Sequence, residues 1–488
     1  MKVNSIKTGT IWSMIGQVVN IVFGFIILIL TTRFLGPNQY GLLQTILTLT
    51  VLSVMVADFG FSSSVARYVA ENQNDPRRKS QYIINGLILK MSTSLIIVLL
   101  LINVLPFLEG FLDIELEEYS FLLIVITLLR SLREFLLKIL QGLRRLDLST
   151  KFNLFYNVGN MSLIATLLYL NFGVNSVLLS EIGITLLLLV IFIFMNKRTK
   201  IFSYHRLEKN ILKNILIYSV PMFFISMSFY LYMKTDILMV QYFMDNISVG
   251  FYSLATMIIG KVHMPMVAIG HATGPALVSI DKNKRSTQLV KVIRVTLLLT
   301  LPICMGLFLV SKEFILVFFG SSFLPTVQTL QLLTIFLFFY SVNSVLSPVL
   351  DYLGFARKRA IMVGISATLN IFLNMFFIPQ FGIVGAVYST LFTYSIYSII
   401  IIKTVFTHVI EDNTSYLEIR KTFFRIFLAS IIMSIFVYSC NLFIQDDFIS
   451  LILSIFVGIT SYILLITKLN IISKSEILTL FPKKYVKN

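Results

Sequence analysis

The sequence predicts an all-α integral membrane protein of about 14 transmembrane helices, two pseudo-symmetric six-helix bundles followed by two more helices. Three observations carry this. Long apolar segments recur along the whole chain, lysine and arginine are sorted to alternate junctions between them, and landmarks of the first half return 209 residues later. Composition agrees: 57% hydrophobic residues and 13% charged, with a mean hydropathy of +0.88, leave more apolar surface than a soluble globule could bury. The bilayer is the expected solvent.

A spanning helix needs roughly 20 mostly apolar residues. Segment 1 (10–32) follows Lys2 and Lys7 and stops at Gly36-Pro37; segment 2 (40–65) leads into Arg67, Arg77, Arg78 and Lys79. Segments 3 (82–107) and 4 (119–141) are joined by Glu109, Asp113, Glu115, Glu117 and Glu118, and Lys138, Arg144, Arg145 and Lys151 mark the next junction. Segments 5 (152–172) and 6 (176–195) turn at Phe172-Gly173 and lead to Lys197, Arg198, Lys200, Arg206, Lys209 and Lys213. Asp245 separates segments 7 (214–243) and 8 (248–276), after which come Lys282, Lys284, Arg285, Lys291 and Arg294. Segments 9 (287–310) and 10 (326–350) flank Glu313 and precede Arg357, Lys358 and Arg359. Segments 11 (360–379) and 12 (383–406) turn at Phe381-Gly382 and precede Lys403, Arg420, Lys421 and Arg425. Segments 13 (422–443) and 14 (448–467) flank Asp446 and Asp447, and Lys468, Lys474, Lys483, Lys484 and Lys487 follow.

All but seven of the 40 lysines and arginines thus fall at the amino terminus, at even-numbered junctions or in the tail, while odd-numbered junctions are neutral or acidic. The positive-inside rule puts both termini in the cytoplasm of a multi-pass cell-membrane protein. A basic rim facing anionic headgroups accounts for the net charge of +17 without a nucleic-acid partner. Segment 1 is too long for a signal-peptide core and lacks a cleavage pattern, so it reads as retained.

The same residues exclude several chemistries. No phosphate loop with Lys and Ser or Thr is present, so no ATPase is expected. Asp58-Phe59-Gly60 matches a kinase triplet but lies in an apolar helix without the other kinase loops. His263 and His271 have no second ligand group, and Cys304 and Cys440 lie in apolar segments, so neither metal nor disulfide is expected, and no cofactor. Outer junctions of no more than about a dozen residues leave no room for a catalytic domain. The expectation is a transporter and not an enzyme.

Gly41 and Gly250 close matching junctions and differ by 209; Gly173 and Gly382 differ by the same amount. The repeat implies parallel halves about an axis along the membrane normal, with substrate sites expected between the halves. The expected division is an N-terminal six-helix bundle (1–205), a C-terminal six-helix bundle (206–410), an extra helix pair (411–470) and a basic cytoplasmic tail (471–488).

Charges inside a spanning helix are rare unless paired or facing a cavity, so the seven exceptional cations are informative: Arg33, Lys90, Arg130, Arg133, Lys234, Lys261 and Lys312. Lys312 sits in an outer turn beside Glu313. Arg130 and Glu134 have i,i+4 spacing and read either as an internal pair or as cavity lining. Arg133 is on the same side and adds positive charge if it has no acid of its own. Lys234 and Asp236 point to different faces, so each needs another partner. Asp58 and Asp351, near cytoplasmic ends, are expected to meet basic loops, whereas Glu181 is an acid at depth with no assigned role. Ser13, Gln17, Asn20, Gly24 and Thr31 form a polar stripe, matched in segment 7 by Ser219, Ser226, Tyr230 and Lys234. The stripes read as cavity lining, with interhelical glue as the alternative. Gly260, Lys261, Pro265, Gly270, Gly274 and Pro275 interrupt segment 8, as in ligand-lining or moving helices.

The run Asn370-Ile371-Phe372-Leu373-Asn374, through Pro379-Gln380-Phe381-Gly382 to Gly385-Ala386, resembles the signature of polysaccharide-biosynthesis lipid flippases. So do Arg33-Phe34-Leu35-Gly36-Pro37 with Tyr40-Gly41, Asp58-Phe59-Gly60 with Arg67-Tyr68, and Thr235-Asp236 with Val249-Gly250-Phe251-Tyr252. These matches are in order over most of the chain. The resemblance implies the fold shared with multidrug extruders and lipid II flippases. It also implies alternating access with a polyprenyl-pyrophosphate-linked oligosaccharide as cargo, moved from the cytoplasmic to the outer leaflet for surface glycan assembly. On that reading Arg33, Arg130, Arg133, Lys234 and Lys261 bind the anionic headgroup, and Gln17, Asn20, Ser226 and Tyr230 contact the substrate. Asp236 is then a candidate proton or sodium site, so a proton or sodium gradient is the candidate driving force. Gly36, Pro37, Gly41, Asp58, Gly60, Gly250, Asn370, Asn374, Pro379, Gly382 and Gly385 are structural motif residues. The expected setting is a monomer in membrane lipid beside glycan-assembly enzymes. Alternatives are a cation-coupled drug extruder or lipid II flippase of the same fold, or a membrane glycosyltransferase or polymerase.

Overall fold

A computed structural model describes residues 6–199, 207–410, 413–469 and 471. The expected tail, like Lys2, Lys200 and Arg206, lies outside them apart from residue 471. The described residues form helices and turns with no strand: α1 (Ile6–Asp58), α2 (Phe61–Glu71), α3 (Pro76–Leu112), α4 (Glu117–Gly142), α5 (Leu146–Tyr169), α6 (Asn175–Thr199), α7 (Lys209–Phe243), α8 (Asn246–Val278), α9 (Lys282–Leu309), α10 (Ser311–Phe319), α11 (Thr326–Leu350), α12 (Ala356–Phe381), α13 (Ile383–His408), α14 (Asn413–Phe443) and α15 (Asp447–Lys468).

Among the described residues ten stretches are long and apolar enough to cross a bilayer. Two of them, Ile15–Asp58 and Thr326–Phe381, each hold two helices joined at a kink, at Gly36 and at Gly354. The other two expected spans are the helices α4, interrupted by Arg130, Arg133 and Glu134, and α5, diluted by Asn153, Asn157 and Asn160. Each of the 14 expected segments therefore has its helix, and the chain is a multi-pass membrane protein. Large apolar side chains stay exposed along these helices, among them Phe121, Tyr169, Phe443 and Leu464, a surface suited to lipid and unsuited to water. The short helix α10, between segments 9 and 10, was not expected.

The break expected after segment 1 is a kink inside a continuous element. Gly36 has φ 67° and ψ 177°, a conformation with no penalty only for a residue without Cβ. Pro37 follows directly and has no N–H for the helical ladder.

The chain forms two compact units, Met1–Ser253 with Ile371–Ile383, and Leu254–Asn370 with Val384–Asn488. In the first, α1 packs on α5, while α2, α3, α4 and α7 enclose a core that includes Phe61, Val65, Ile83, Phe135, Ile139 and Ile215. Asp75 caps α3, accepting from the Arg78 amide at 3.0 Å, with Pro76 next to it at the first helical position.

One contact in this unit shows the repeat directly. A Cβ on Gly41 would lie 1.7 Å from the Asn246 carbonyl oxygen, and a Cβ on Gly250 would lie 2.3 Å from that of Pro37. Adding 209 converts Gly41 to Gly250 and Pro37 to Asn246, so the offset exchanges the two contacts. That reciprocity is what a local twofold axis requires. Gly173 and Gly382, the other pair, have φ of 56° and 60°.

In the second unit α9 packs on α11 and α14, and α15 packs on α14. Polar bonds fasten the C-terminal pair: Asn441 donates to the Leu309 carbonyl at 3.1 Å and accepts from Ser454 at 2.6 Å, and Tyr462 donates to the Leu298 carbonyl at 2.8 Å. An apolar groove of about 650 Å³ runs between α9, α11 and α14, lined by Phe308, Phe338, Phe339, Phe423 and Phe427.

Candidate functional site

The charges of α4 are brought together with those of α6. Arg130 Nε donates to Glu134 Oε1 at 3.2 Å, the pair expected from their spacing. Glu181 of α6 faces both arginines, its Oε1 lying 3.6 Å from Arg130 Nη1 and 3.8 Å from Arg133 Nη2. Arg133 also donates to the Thr185 hydroxyl at 3.5 Å and stacks 4.0 Å over the Tyr156 ring of α5. Two guanidiniums and two carboxylates sum to zero. Arg133 was expected to add net positive charge only if it had no acid of its own, and Glu181 supplies that acid. Four separate charges at depth would cost roughly 10 kcal/mol on insertion scales, and mutual pairing offsets much of this.

α7 brings a further cation to this cluster. Lys234 is half-buried and within coulombic range of Arg130, and it forms no ion pair among the described residues. One turn earlier, Tyr230 lies within coulombic range of Glu134, Arg130 and Asp58. The local balance is therefore positive by the charge of Lys234. Lys234 and Asp236 do not neutralise each other, as their two-residue spacing predicted.

Asp58 corrects another expectation. Rather than meeting a basic loop, it accepts from Lys90 of α3 and from the Ser62 hydroxyl. Lys90 is 1% exposed, so its ammonium requires that carboxylate, and this deep cation is structural. Asp351 does meet its basic loop, accepting from Arg359 Nε at 2.6 Å.

A third group surrounds Asp236, a buried carboxylate on α7. The Tyr252 hydroxyl donates to its Oδ2 at 2.7 Å and Asn374 Nδ2 donates to its Oδ1 at 2.7 Å. This gives the motif residue Asn374 a definite task. Both donors are neutral. Among the described residues no group of three His, Cys, Asp or Glu could hold a metal ion, and Cys304 and Cys440 are free thiols.

The remaining sequence-selected residues are more dispersed. Asn20 accepts from Asn157 Nδ2 of α5 at 2.6 Å, an interhelical contact of the kind named as the alternative, and Thr31 bonds to its own helix backbone at 2.8 Å. Gln17 and Ser226 are half-buried, Arg33 is exposed beside the Gly36 kink, and Lys261 is half-buried and belongs to the second unit. Ser13 has no described side chain. Among the motif residues, Gly60 precedes α2 in a left-handed conformation, Asn370 donates to the Thr390 hydroxyl at 3.4 Å, Pro379 lies within α12 and Gly385 is buried. Tyr156, Thr185 and the role of Glu181 were missed: they lie on other helices, and only the third dimension reveals them.

A profile of the polysaccharide biosynthesis protein family matches residues 6–280. The probable low-salt glycan biosynthesis flippase Agl15 of Haloferax volcanii is 23% identical over 376 residues, covering 75% of this chain and 76% of that protein. Probable flippase AglR of the same organism is 24% identical over 399 residues, 78% of this chain and 79% of that one. Among solved structures, the lipid II flippase MurJ in an inward closed conformation matches with a TM-score of 0.70 at 18% identity, covering 94% of this chain and 97% of that one. The relatives are named as flippases and not as catalysts, in line with the expectation of a transporter.

Proposed function

This chain belongs to the polysaccharide biosynthesis protein family, and from that premise we propose that it is a flippase for a polyprenyl-pyrophosphate-linked oligosaccharide. By this reading it works by alternating access and moves its cargo from the cytoplasmic to the outer leaflet for surface glycan assembly. It acts as a monomer in the cell membrane, with both termini cytoplasmic, beside the enzymes that build the glycan.

The observation that supports it best is the positive charge of Lys234, unpaired among the described residues and within coulombic range of Arg130. A lysine at membrane depth without a carboxylate is stabilised when an anion arrives, and an arginine already oriented by Glu181 offers a planar donor fork suited to a phosphate oxygen. Lys234 and Arg130 bind the headgroup, with Tyr230 as a neighbouring hydroxyl donor. Arg133 holds Glu181 and the α4–α6 pair in place. Lys90 is left out of the headgroup site, because Asp58 already engages it.

Asp236 is the proposed coupling site. Tyr252 and Asn374 orient its buried carboxylate, and a proton or a sodium ion binds there as the transporter cycles. In a strain that lacks its own flippase and carries the matching glycan-assembly enzymes, Lys234→Gln should reduce surface glycan at least tenfold at equal protein level. Undiminished display would reject the headgroup assignment.

A further inference from the structure

We infer that Glu134 is a specificity-determining residue of this anion site, an internal counter-ion that admits a pyrophosphate and turns away lipids carrying one phosphodiester charge. The inference rests on the headgroup reading above. Arg130 is held by two carboxylates in different settings. Glu181 is 8% exposed and shared between two arginines. Glu134 is 44% exposed and, among the described residues, pairs with Arg130 alone, at 3.2 Å. An arriving anion therefore finds the open side of Arg130 already occupied. It reaches the guanidinium only by turning Glu134 aside.

Charge arithmetic decides which anions gain from that exchange. A phosphodiester replaces one negative charge with one, and leaves Glu134 without its partner. A pyrophosphate brings a second phosphoryl group and a second charge. One phosphoryl takes the place of Glu134 on Arg130, and the other meets Lys234, which is within coulombic range of Arg130 and has no carboxylate of its own among the described residues. Ordinary anionic phospholipids surround a membrane protein in large excess, so a flippase with an open arginine would be occupied by them. Glu134 lowers that competition, because a like charge at the same guanidinium must be outbid before a phosphodiester reaches Arg130, and Lys234 alone offers such a lipid only a single charge.

The test uses the purified full-length protein in neutral phosphatidylcholine nanodiscs, with farnesyl pyrophosphate and dihexanoyl phosphatidylglycerol as probes. Wild type should prefer the pyrophosphate. In Glu134→Gln the phosphatidylglycerol affinity should rise roughly fivefold, as expected for freeing one partly exposed arginine, with a much smaller change for the pyrophosphate. The preference then collapses. Glu134→Asp, which keeps the charge on a shorter arm, should lower the preference partway and carries the test if Glu134→Gln does not fold. An unchanged preference in both variants overturns the inference, as does loss of both probes in Glu134→Gln. Lys234→Gln separates the two levels: if it leaves pyrophosphate affinity unchanged, the headgroup reading itself fails whatever Glu134 does.

Discussion

Adding a methyl group at Gly41 tests whether the repeat is built around one reciprocal helix contact. The new Cβ would sit 1.7 Å from the Asn246 carbonyl oxygen, where ordinary contact begins at 3.4 Å, so α1 and α8 must separate locally by about 1.7 Å. Gly250→Ala is milder: 2.3 Å from the Pro37 carbonyl oxygen leaves about 1.1 Å to recover. Overpacking commonly costs about 1–3 kcal/mol. With backbone on both sides, the expected losses are about 3 kcal/mol for Gly41→Ala and about 2 kcal/mol for Gly250→Ala. Both changes wedge the same helix pair apart, so the second meets a gap the first has already opened. The double variant should lose about 3–4 kcal/mol, clearly less than the sum. Equilibrium unfolding in detergent measures all three, with Gly110→Ala, whose Cβ meets nothing within 4 Å, as a neutral control. Additive losses, or single losses below about 0.5 kcal/mol, would refute the reciprocal contact.

Lys90→Met leaves the Asp58 carboxylate without its ammonium and should destabilise by about 3 kcal/mol, the lower end for a broken buried pair because Asp58 keeps some exposure and its bond from Ser62. Asp58→Asn combined with Lys90→Met should restore much of that loss, and a double variant no more stable than the single would show that the pair is not the cause. Asp236→Asn preserves the shape of the carboxylate and its bond from Tyr252. It should fold normally yet lose the gradient dependence of transport in proteoliposomes, and transport that still responds to an imposed proton or sodium gradient would remove Asp236 from coupling.

What could be read from the sequence follows the range of the interactions. The helices were legible because hydropathy over about 20 residues is a local property, and the bend at Gly36 because Gly-Pro acts through its own backbone. Arg130 and Glu134 were legible for the same reason, since four residues is one helical turn. Glu181 lies 51 positions beyond Arg130, and nothing in the intervening sequence says that α6 turns it toward α4. Which acid, if any, answers Arg133 was therefore open in the sequence. Asp58 was misassigned because position along a helix suggested a loop partner, while α3 places Lys90 against it. Periodicity tells which side chains of segment 1 share a face, and only packing tells that Asn20 on that face meets Asn157 of α5. Asn374 was found through resemblance alone, and its bond to Asp236 gives the physical reason for it.

Translocation of a fluorescent polyprenyl-pyrophosphate oligosaccharide in proteoliposomes, read by quencher accessibility at the outer leaflet, tests the central claim most directly. Wild type should expose the glycan, and Lys234→Gln should slow that exposure at least tenfold while remaining folded. Wild-type protein that leaves the lipid where it started, or Lys234→Gln that moves it at the full rate, would contradict the account.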